Sequence, residues 1–221
     1  MNKPKKILLL DYDNTLSPFL SDGLMELDSL ITQFISENIG LEPHQANLLR
    51  QTYNSEFGST LGGLIKHHST SPHDFFDFIQ DIKSKNLPKK DSALKFWLNN
   101  QKIPISIFTN ARADWAIKGL TSMGLIKENA PFYDHLFDLE YLDWVGKPNK
   151  QAYDQVESGL SQKHGSNLEI IFVDDSLPNL DAAKQKGWTT IWVHPKPKDS
   201  NPNHLDHLHY SQLMDLPFFD V

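Results

Sequence analysis

The chain contains no cysteine, which removes disulfide scaffolds, thiolate metal sites and thiol nucleophiles together and leaves any catalysis to oxygen and nitrogen groups. A basic excess is missing as well. Lys and Arg number 21 against 28 Asp and Glu, a formal charge of −7, so a nucleic-acid polymer is not an expected partner. Long apolar runs are also absent. The basic start Met1 to Lys6 leads into Ile7-Leu8-Leu9-Leu10, which meets Asp11 at once; that is too short for a signal peptide and far below the roughly 18 residues of a bilayer span. We therefore expect a soluble, cytoplasmic protein with no membrane partner. What is present is an ordinary globular mixture, 39% hydrophobic and 22% charged over 221 residues, enough for one large domain or a domain with an insert.

Short apolar runs bounded by turn signals predict buried parallel strands at Ile7–Leu10, Ile103–Phe108, Ile170–Val173 and Thr190–Val193, with a weaker one at Leu136–Leu139. Helical patterns fall between them: Asp114–Met123 before Gly124, Lys150–Leu160, and Leu177–Lys186 before Gly187. Alternation of this kind describes an α/β fold, a Rossmann-like parallel sheet flanked by helices. The first crossover breaks the rhythm. Between Leu10 and Ile103 the sequence has no convincing strand, but shows helices from Leu24 to Ile39, from Pro43 through Phe57, from Ser71-Pro72 through Ile82, and from Ser92 through Trp97. The last of these is assigned to the sheet domain. The division expected is a core of residues 1–16 and 89–221 and a helical cap of residues 17–88, with a loop or linker from Pro195 to Asn203 before a short C-terminal element.

The predicted strands end in reactive side chains. The first runs into Asp11-Tyr12-Asp13-Asn14-Thr15, the second into Thr109-Asn110, and Ile170–Val173 into Asp174-Asp175-Ser176. In open parallel sheets ligands bind at the carboxyl ends of the strands, so four aspartates are expected to share one crevice. Like charges so close need shared protons or a cation. Oxygen ligands alone point to Mg²⁺, and Mg²⁺ to a phosphate substrate. Lys147, in Gly146-Lys147-Pro148, supplies a positive charge, and Thr109 hydrogen-bonds phosphate oxygens. Asp11 is placed as a nucleophile that forms an aspartyl phosphate. Asp13, two residues on, is placed to protonate the leaving oxygen and then activate water.

Asp11-Tyr12-Asp13-Asn14-Thr15-Leu16, Phe108-Thr109-Asn110, Gly146-Lys147-Pro148 and Phe172-Val173-Asp174-Asp175-Ser176 resemble, in order, the four motifs of the haloacid dehalogenase superfamily of phosphohydrolases. The resemblance spans nearly the whole chain. It implies Asp11 as nucleophile, Asp13 as acid and base, Thr109, Asn110 and Lys147 as holders of the phosphoryl group, and Asp174 and Asp175 completing a Mg²⁺ site with Asp11 and the backbone carbonyl of Asp13. Of the acidic pair, likeness to relatives with Gly-Asp at this point implies Asp175 as the direct ligand and Asp174 as an outer one. A helical insert after the first motif is that superfamily's C1-type cap. Dehalogenases of the family lack the second aspartate, so Asp13 argues against that activity, and Lys66 is the main candidate in the cap for the Schiff-base lysine of phosphonatases. The stretch Tyr53–Leu64 is similar to the pyrimidine 5′-nucleotidase branch, although Ser17-Pro18 precede Phe19 where that branch often has an aromatic. The resemblance implies hydrolysis of a small phosphate ester, a pyrimidine nucleoside monophosphate, with Tyr53 and Phe57 one helical turn apart as a stacking face for the base.

Other readings compete. A sugar phosphate or phosphoglycolate is the alternative substrate. A receiver module also uses Asp, Mg²⁺, Thr and Lys at strand ends, but places its acidic pair first, and the length and helical insert here are unlike a receiver. A catalytically silent interaction protein on the same fold would be expected to have lost a motif. Phe75, Phe76 and Phe78 read as cap core. The histidines at 204, 207 and 209 lack the helical spacing and carboxylate context of a zinc site.

Overall fold

The computed structural model describes residues 3–18, 22–79, 87–126, 131–195 and 206–220. Ile82, His204 and the linker beyond Pro195 lie outside the described residues, as does Phe19. Among the described residues, six strands, β1 (Lys5–Leu10), β2 (Ile105–Phe108), β3 (Leu136–Phe137), β4 (Leu168–Asp174), β5 (Thr189–Val193) and β6 (Leu208–Tyr210), form one all-parallel sheet in the order β3-β2-β1-β4-β5-β6. The fold is therefore α/β, as the sequence predicts. The C-terminal element is the sixth strand; three residues with no alternation, Leu208-His209-Tyr210, give no strand signal of their own, and pairing with β5 defines them.

Alternation along β1 divides the core. Leu8 and Leu10 face one side with Ile105, Ile107 and Val173, covered by Leu94, Trp97 and Leu98 of α5 (Ser92–Asn99) and Ala116 and Leu120 of α6 (Ala113–Ser122). Ile7 and Leu9 face the other with Phe108 and Phe172, covered by α7 (Lys150–His164) and α8 (Leu177–Gln185). Ile7 through Leu10 are 0% exposed, each contributing roughly 2 kcal/mol of burial. Both faces covered is the reason this strand reads as an unbroken apolar run.

Between β1 and α5 stand α1 (Asp22–Ile39), α2 (Pro43–Phe57), α3 (Thr60–His68) and α4 (Pro72–Ile79), which enclose an apolar cluster of their own around Phe34, Ile35, Leu61, Leu64 and Phe75. The sequence did not announce α3, because Gly62-Gly63 reads as a break. Both features that overrule it are local. Ser59 caps the helix by accepting the Gly62 N–H at 3.0 Å, and Gly63 is required because a Cβ there would lie 2.2 Å from the Tyr53 ring. Among the described residues no helix is long and apolar enough to cross a membrane.

Candidate active site

β1 stops at Leu10, but the Asp11 N–H still donates to the Val173 carbonyl at 2.9 Å, so Asp11 emerges at the sheet edge beside β4. The chain then makes one wide turn over Tyr12–Leu16, closed by the Ser17 N–H on the Tyr12 carbonyl at 2.8 Å. Asn14 sits at φ 61° within it, a left-handed conformation that asparagine tolerates better than most side chains. Asp11, Asp13, Thr109, Asn110, Lys147 and Asp175 all line one cavity of about 740 Å³. Asp174 is 0% exposed and is not among the lining residues.

Lys147 ties the strand ends together. Its Nζ donates to Asp11 Oδ1 at 2.7 Å, to Asp174 Oδ2 at 2.7 Å and to the Phe108 carbonyl at 2.9 Å, which engages all three ammonium protons. Burial alone would lower its pKa, but the charges and hydrogen bonds of Asp11 and Asp174 outweigh burial and raise it. The ammonium therefore stays charged. Asp174 is fixed on its other side by the Ser176 N–H at 2.8 Å and by the Asn179 amide.

Burial pushes the Asp11 carboxyl well above the usual range despite the attraction of Lys147, and the nearby Asp174 and Asp175 add to the rise. Asp175 is pushed to about 7 by burial and by the charge of Asp174, against Lys147 and a hydrogen bond from Asn14. Oxygens of Asp11, Asp174 and Asp175 lie within 4.8 Å of one another. Such a crowded set of hard donors, two of which, Asp11 and Asp175, have raised pKa values, fits a hard divalent cation.

Asp13 stands apart from that cluster. Its Oδ1 accepts the Trp115 Nε1–H at 3.0 Å, and burial raises its pKa to about 6, opposed by that bond and by Lys147. A carboxyl near 6 can hold and release a proton close to neutral pH. Trp115 has no local signal in the sequence, since it reaches Asp13 only through the start of α6, 102 positions along the chain.

Three expected site residues sit differently from their sequence reading. The Asn110 side chain is fully committed: its amide donates to the Gly58 and Lys147 carbonyls, each at 2.8 Å, and its oxygen accepts the Lys147 N–H at 2.7 Å. It clamps the cap loop to the Lys147 backbone rather than presenting its amide to phosphate. Gly58, at φ 73°, fits there because a Cβ would lie 1.7 Å from the Lys147 carbonyl oxygen. Tyr53 and Phe57 are not among the cavity-lining residues. Tyr53 is buried in the cap, its ring stacked on His67 and its hydroxyl 2.9 Å from His68 Nε2, while Phe57 lies edge-on to Tyr53 and under Lys66. The offset is one of helix face, because the side of α2 toward the cavity carries Arg50 and Asn54. Lys66, spent on Phe57, is likewise outside the lining.

Phe75 and Phe76 belong to the cap core and also line the cavity, with Leu24, Leu27, Asp28 and Ile31 of α1. Thr109 accepts the Ala111 N–H at 3.0 Å and keeps its hydroxyl proton to donate. His207 is engaged by Thr190 at 2.7 Å and Asp181 at 3.1 Å, and His209 by the His194 carbonyl, so both serve the β5–β6 edge.

No protein-family model matches the chain. The yeast "Phosphate metabolism protein 8" of Saccharomyces cerevisiae is 24% identical over 199 residues, covering 83% of this chain and 60% of that protein; the chain thus spans about 60% of the length of this curated relative. Among solved structures, a HAD-hydrolase of Bacillus subtilis, YfnB, bound to magnesium, superposes with a TM-score of 0.61 at 18% identity over 97% of both chains. The L-2-haloacid dehalogenase of Xanthobacter autotrophicus, with chloropropionic acid covalently bound, superposes at 0.51 and 14% identity, covering 88% of this chain and 79% of that one. The UTR4 protein of Saccharomyces cerevisiae superposes at 0.54 and 14% identity over 97% of this chain and all of that one.

Proposed function

We propose, for a chain that has the haloacid dehalogenase fold, the activity of a magnesium-dependent phosphomonoesterase, a 5′-nucleotidase preferring pyrimidine nucleoside monophosphates. The observation that carries the phosphatase reading is the separation of two carboxyls on one turn: Asp11 tied to Lys147, and Asp13 held by Trp115 with a pKa near 6. Displacement of halide needs a nucleophile but no proton donor, whereas an alkoxide leaving group needs both. An Asp11 oxygen attacks phosphorus as the bond to the leaving oxygen breaks, and the Asp13 proton goes to that oxygen. Water then attacks the phosphorus of the aspartyl phosphate, Asp13 takes the water's proton, and Asp11 and inorganic phosphate are released. Lys147 holds Asp11 in line, and Thr109 donates to a phosphoryl oxygen. Asp11 and Asp175, with the Asp13 carbonyl, would hold Mg²⁺, and Asp174 would support it from behind. The cation would offset phosphoryl charge.

The cavity is far larger than a phosphoryl group and falls within the roughly 300–1,000 Å³ of small-molecule sites, which favours an organic part of nucleoside size. The name of the yeast relative, a phosphate metabolism protein, agrees with this chemistry. The test is phosphate release in the presence of Mg²⁺ from pyrimidine and purine nucleoside monophosphates, sugar phosphates, phosphoglycolate and an aryl phosphate, with halide release from a 2-haloacid in parallel. Pyrimidine nucleotides should give the highest kcat/KM. Halide release without phosphate release would replace the reading with a dehalogenase.

A further inference from the structure

The wall of the cavity contributed by α1 is apolar except at one place, and α2 faces it with the polar Arg50, Asn54 and Ser55. Along α1, Leu24, Leu27 and Ile31 recur at helical spacing on the lining face, and Asp28 interrupts them. Arg50 of α2 meets it, with Nη1 2.7 Å from Asp28 Oδ1, and the Arg50 side chain is only 14% exposed. Its Nε donates to Asn47 at 3.2 Å. Among the described residues these two contacts leave three of the five guanidinium protons for a ligand. Asp28 keeps a second carboxylate oxygen.

The Arg50 side chain is 14% exposed and the Asp28 side chain 46%; a partly exposed pair of this kind adds little to holding two helices together, and apolar residues would serve as well. The rest of this stripe shows that apolar residues do serve. Beside the leucine, isoleucine and phenylalanine side chains that α1 and α4 bring to the cavity, a fixed donor and acceptor side by side act as an orienting point for a ligand. The pair also belongs to the same space as the chemistry, because Asp28 and Arg50 line the cavity that Asp11 and Asp13 line. A leaving group that fits both surfaces needs a flat apolar face for Phe75 and Phe76 and a polar edge with donor and acceptor adjacent.

We infer that Asp28 and Arg50 are the specificity-determining pair of this site and read the polar edge of a pyrimidine base on the leaving nucleoside. The inference rests on the nucleotidase reading above and replaces Tyr53 and Phe57 as the residues that select the base. Arg50 would donate to the base carbonyl, and Asp28 would accept from the neighbouring ring or amino N–H.

The experiment compares wild type, Arg50→Met, Arg50→Lys and Asp28→Asn by steady-state kinetics on uridine and cytidine monophosphate and on an aryl phosphate, and by calorimetric binding of free cytidine and uridine with Mg²⁺ and phosphate present. Loss of a charge-assisted hydrogen bond should raise KM for both nucleotides about tenfold or more in Arg50→Met and weaken nucleoside binding to match. The kcat on nucleotides and the kcat/KM on aryl phosphate should stay within about twofold, because a small ester does not reach the pair. Arg50→Lys, which keeps the charge on Asp28, should fall between, and it keeps the test open if the methionine variant folds poorly. Asp28→Asn should change the ratio of cytidine to uridine monophosphate. Equal losses on aryl phosphate and nucleotides, or unchanged nucleotide KM in folded Arg50 variants, would overturn the inference while leaving the nucleotidase reading in place. Arginine-dependent nucleoside binding without any phosphate release would overturn the phosphatase reading and keep the inference. Absence of both nucleotide turnover and nucleoside binding in wild type would end both.

Discussion

Lys147 at the sheet edge has each of its three protons on an acceptor inside the protein, whereas Arg50 in the helical wall has, among the described residues, two internal contacts and three protons left over. The same contrast holds for their surroundings. Asp11, Thr109 and Asp174 are fixed by the strands they end, with the Asp11 and Thr109 N–H groups extending the ladder onto Val173 and Phe137. The cap side chains stand on helices whose facing depends on how α1, α2 and α4 pack. On the proposed function, the groups assigned to chemistry common to all substrates are held rigidly, and the groups assigned to the variable part of the substrate keep unused hydrogen-bonding capacity. Preorganisation at the first and adaptability at the second are what each task asks for.

The strongest test of the rigid half is Asp11→Asn. The amide keeps the shape and removes the nucleophile, so turnover should drop by roughly three orders of magnitude or more while circular dichroism stays native. A folded variant with near-normal phosphate release would break the covalent mechanism. Asp13→Asn should cost about 10²- to 10⁴-fold on a nucleotide and distinctly less on an aryl phosphate, whose leaving oxygen needs no proton. Equal losses on the two esters would remove Asp13 from the acid role.

The contrast also explains what the sequence discloses. Asp11, Lys147 and the pair Asp174-Asp175 are legible because each ends or adjoins an apolar run, and the parallel sheet brings all such ends to one edge. Asp28 and Arg50 are not, since nothing local says which face of an amphipathic helix meets a cavity and which meets its neighbours. Tyr53 and Phe57 share one helical turn, as the sequence says, yet that turn faces α3. Trp115 and the Asn110 clamp depend on contacts across 102 and 52 positions of the chain, beyond any local pattern.

Asp174 and Asp175 sharpen the comparison within two adjacent residues. Asp174 is buried and bonded to Lys147, Ser176 and Asn179, so Asp174→Asn should destabilise the fold by about 3–5 kcal/mol, the usual cost of breaking a buried charge pair. Asp175 faces the cavity. Asp175→Asn should leave stability nearly intact and weaken the Mg²⁺ dependence of activity about tenfold or more. Denaturant melts and Mg²⁺ titrations of both variants decide, and the opposite pattern would exchange their roles. At the seam between the two halves, Gly58→Ala places a methyl against the Lys147 carbonyl and should force the loop off Asn110. A fall in kcat/KM of roughly ten- to a hundredfold is expected, with faster amide exchange in α3; wild-type values for both would show that the loop can yield without consequence.

The smallest effect concerns the proton balance of the rigid half without metal. Asp13 and Asp175 have folded pKa values of about 6 and about 7 against an ordinary 3.8, and Asp11 is also raised. Between about pH 4 and pH 7 the unfolded chain has released these protons while the folded chain still binds them, so the unfolded state holds fewer and stability falls as pH rises. Below about pH 4 both states are protonated and these three groups add no slope. Asp114 works the other way, since its hydrogen bond and ion pair with Arg112 lower its pKa, but that contribution changes at the acid end of the range; His135 and His164, whose pKa burial lowers, also oppose the trend below about pH 6.5, two imidazoles against three carboxyls. With a chelator, the melting temperature should therefore decline from about pH 5 to about pH 7.5. Mg²⁺ binds the ionised carboxylates, so it should raise the melting temperature more at the upper pH than at the lower, and Asp175→Asn should flatten both trends. A chelated protein that grows steadily more stable toward neutrality would mean that the crevice carboxyls are ionised without a cation, and that Lys147 alone balances them.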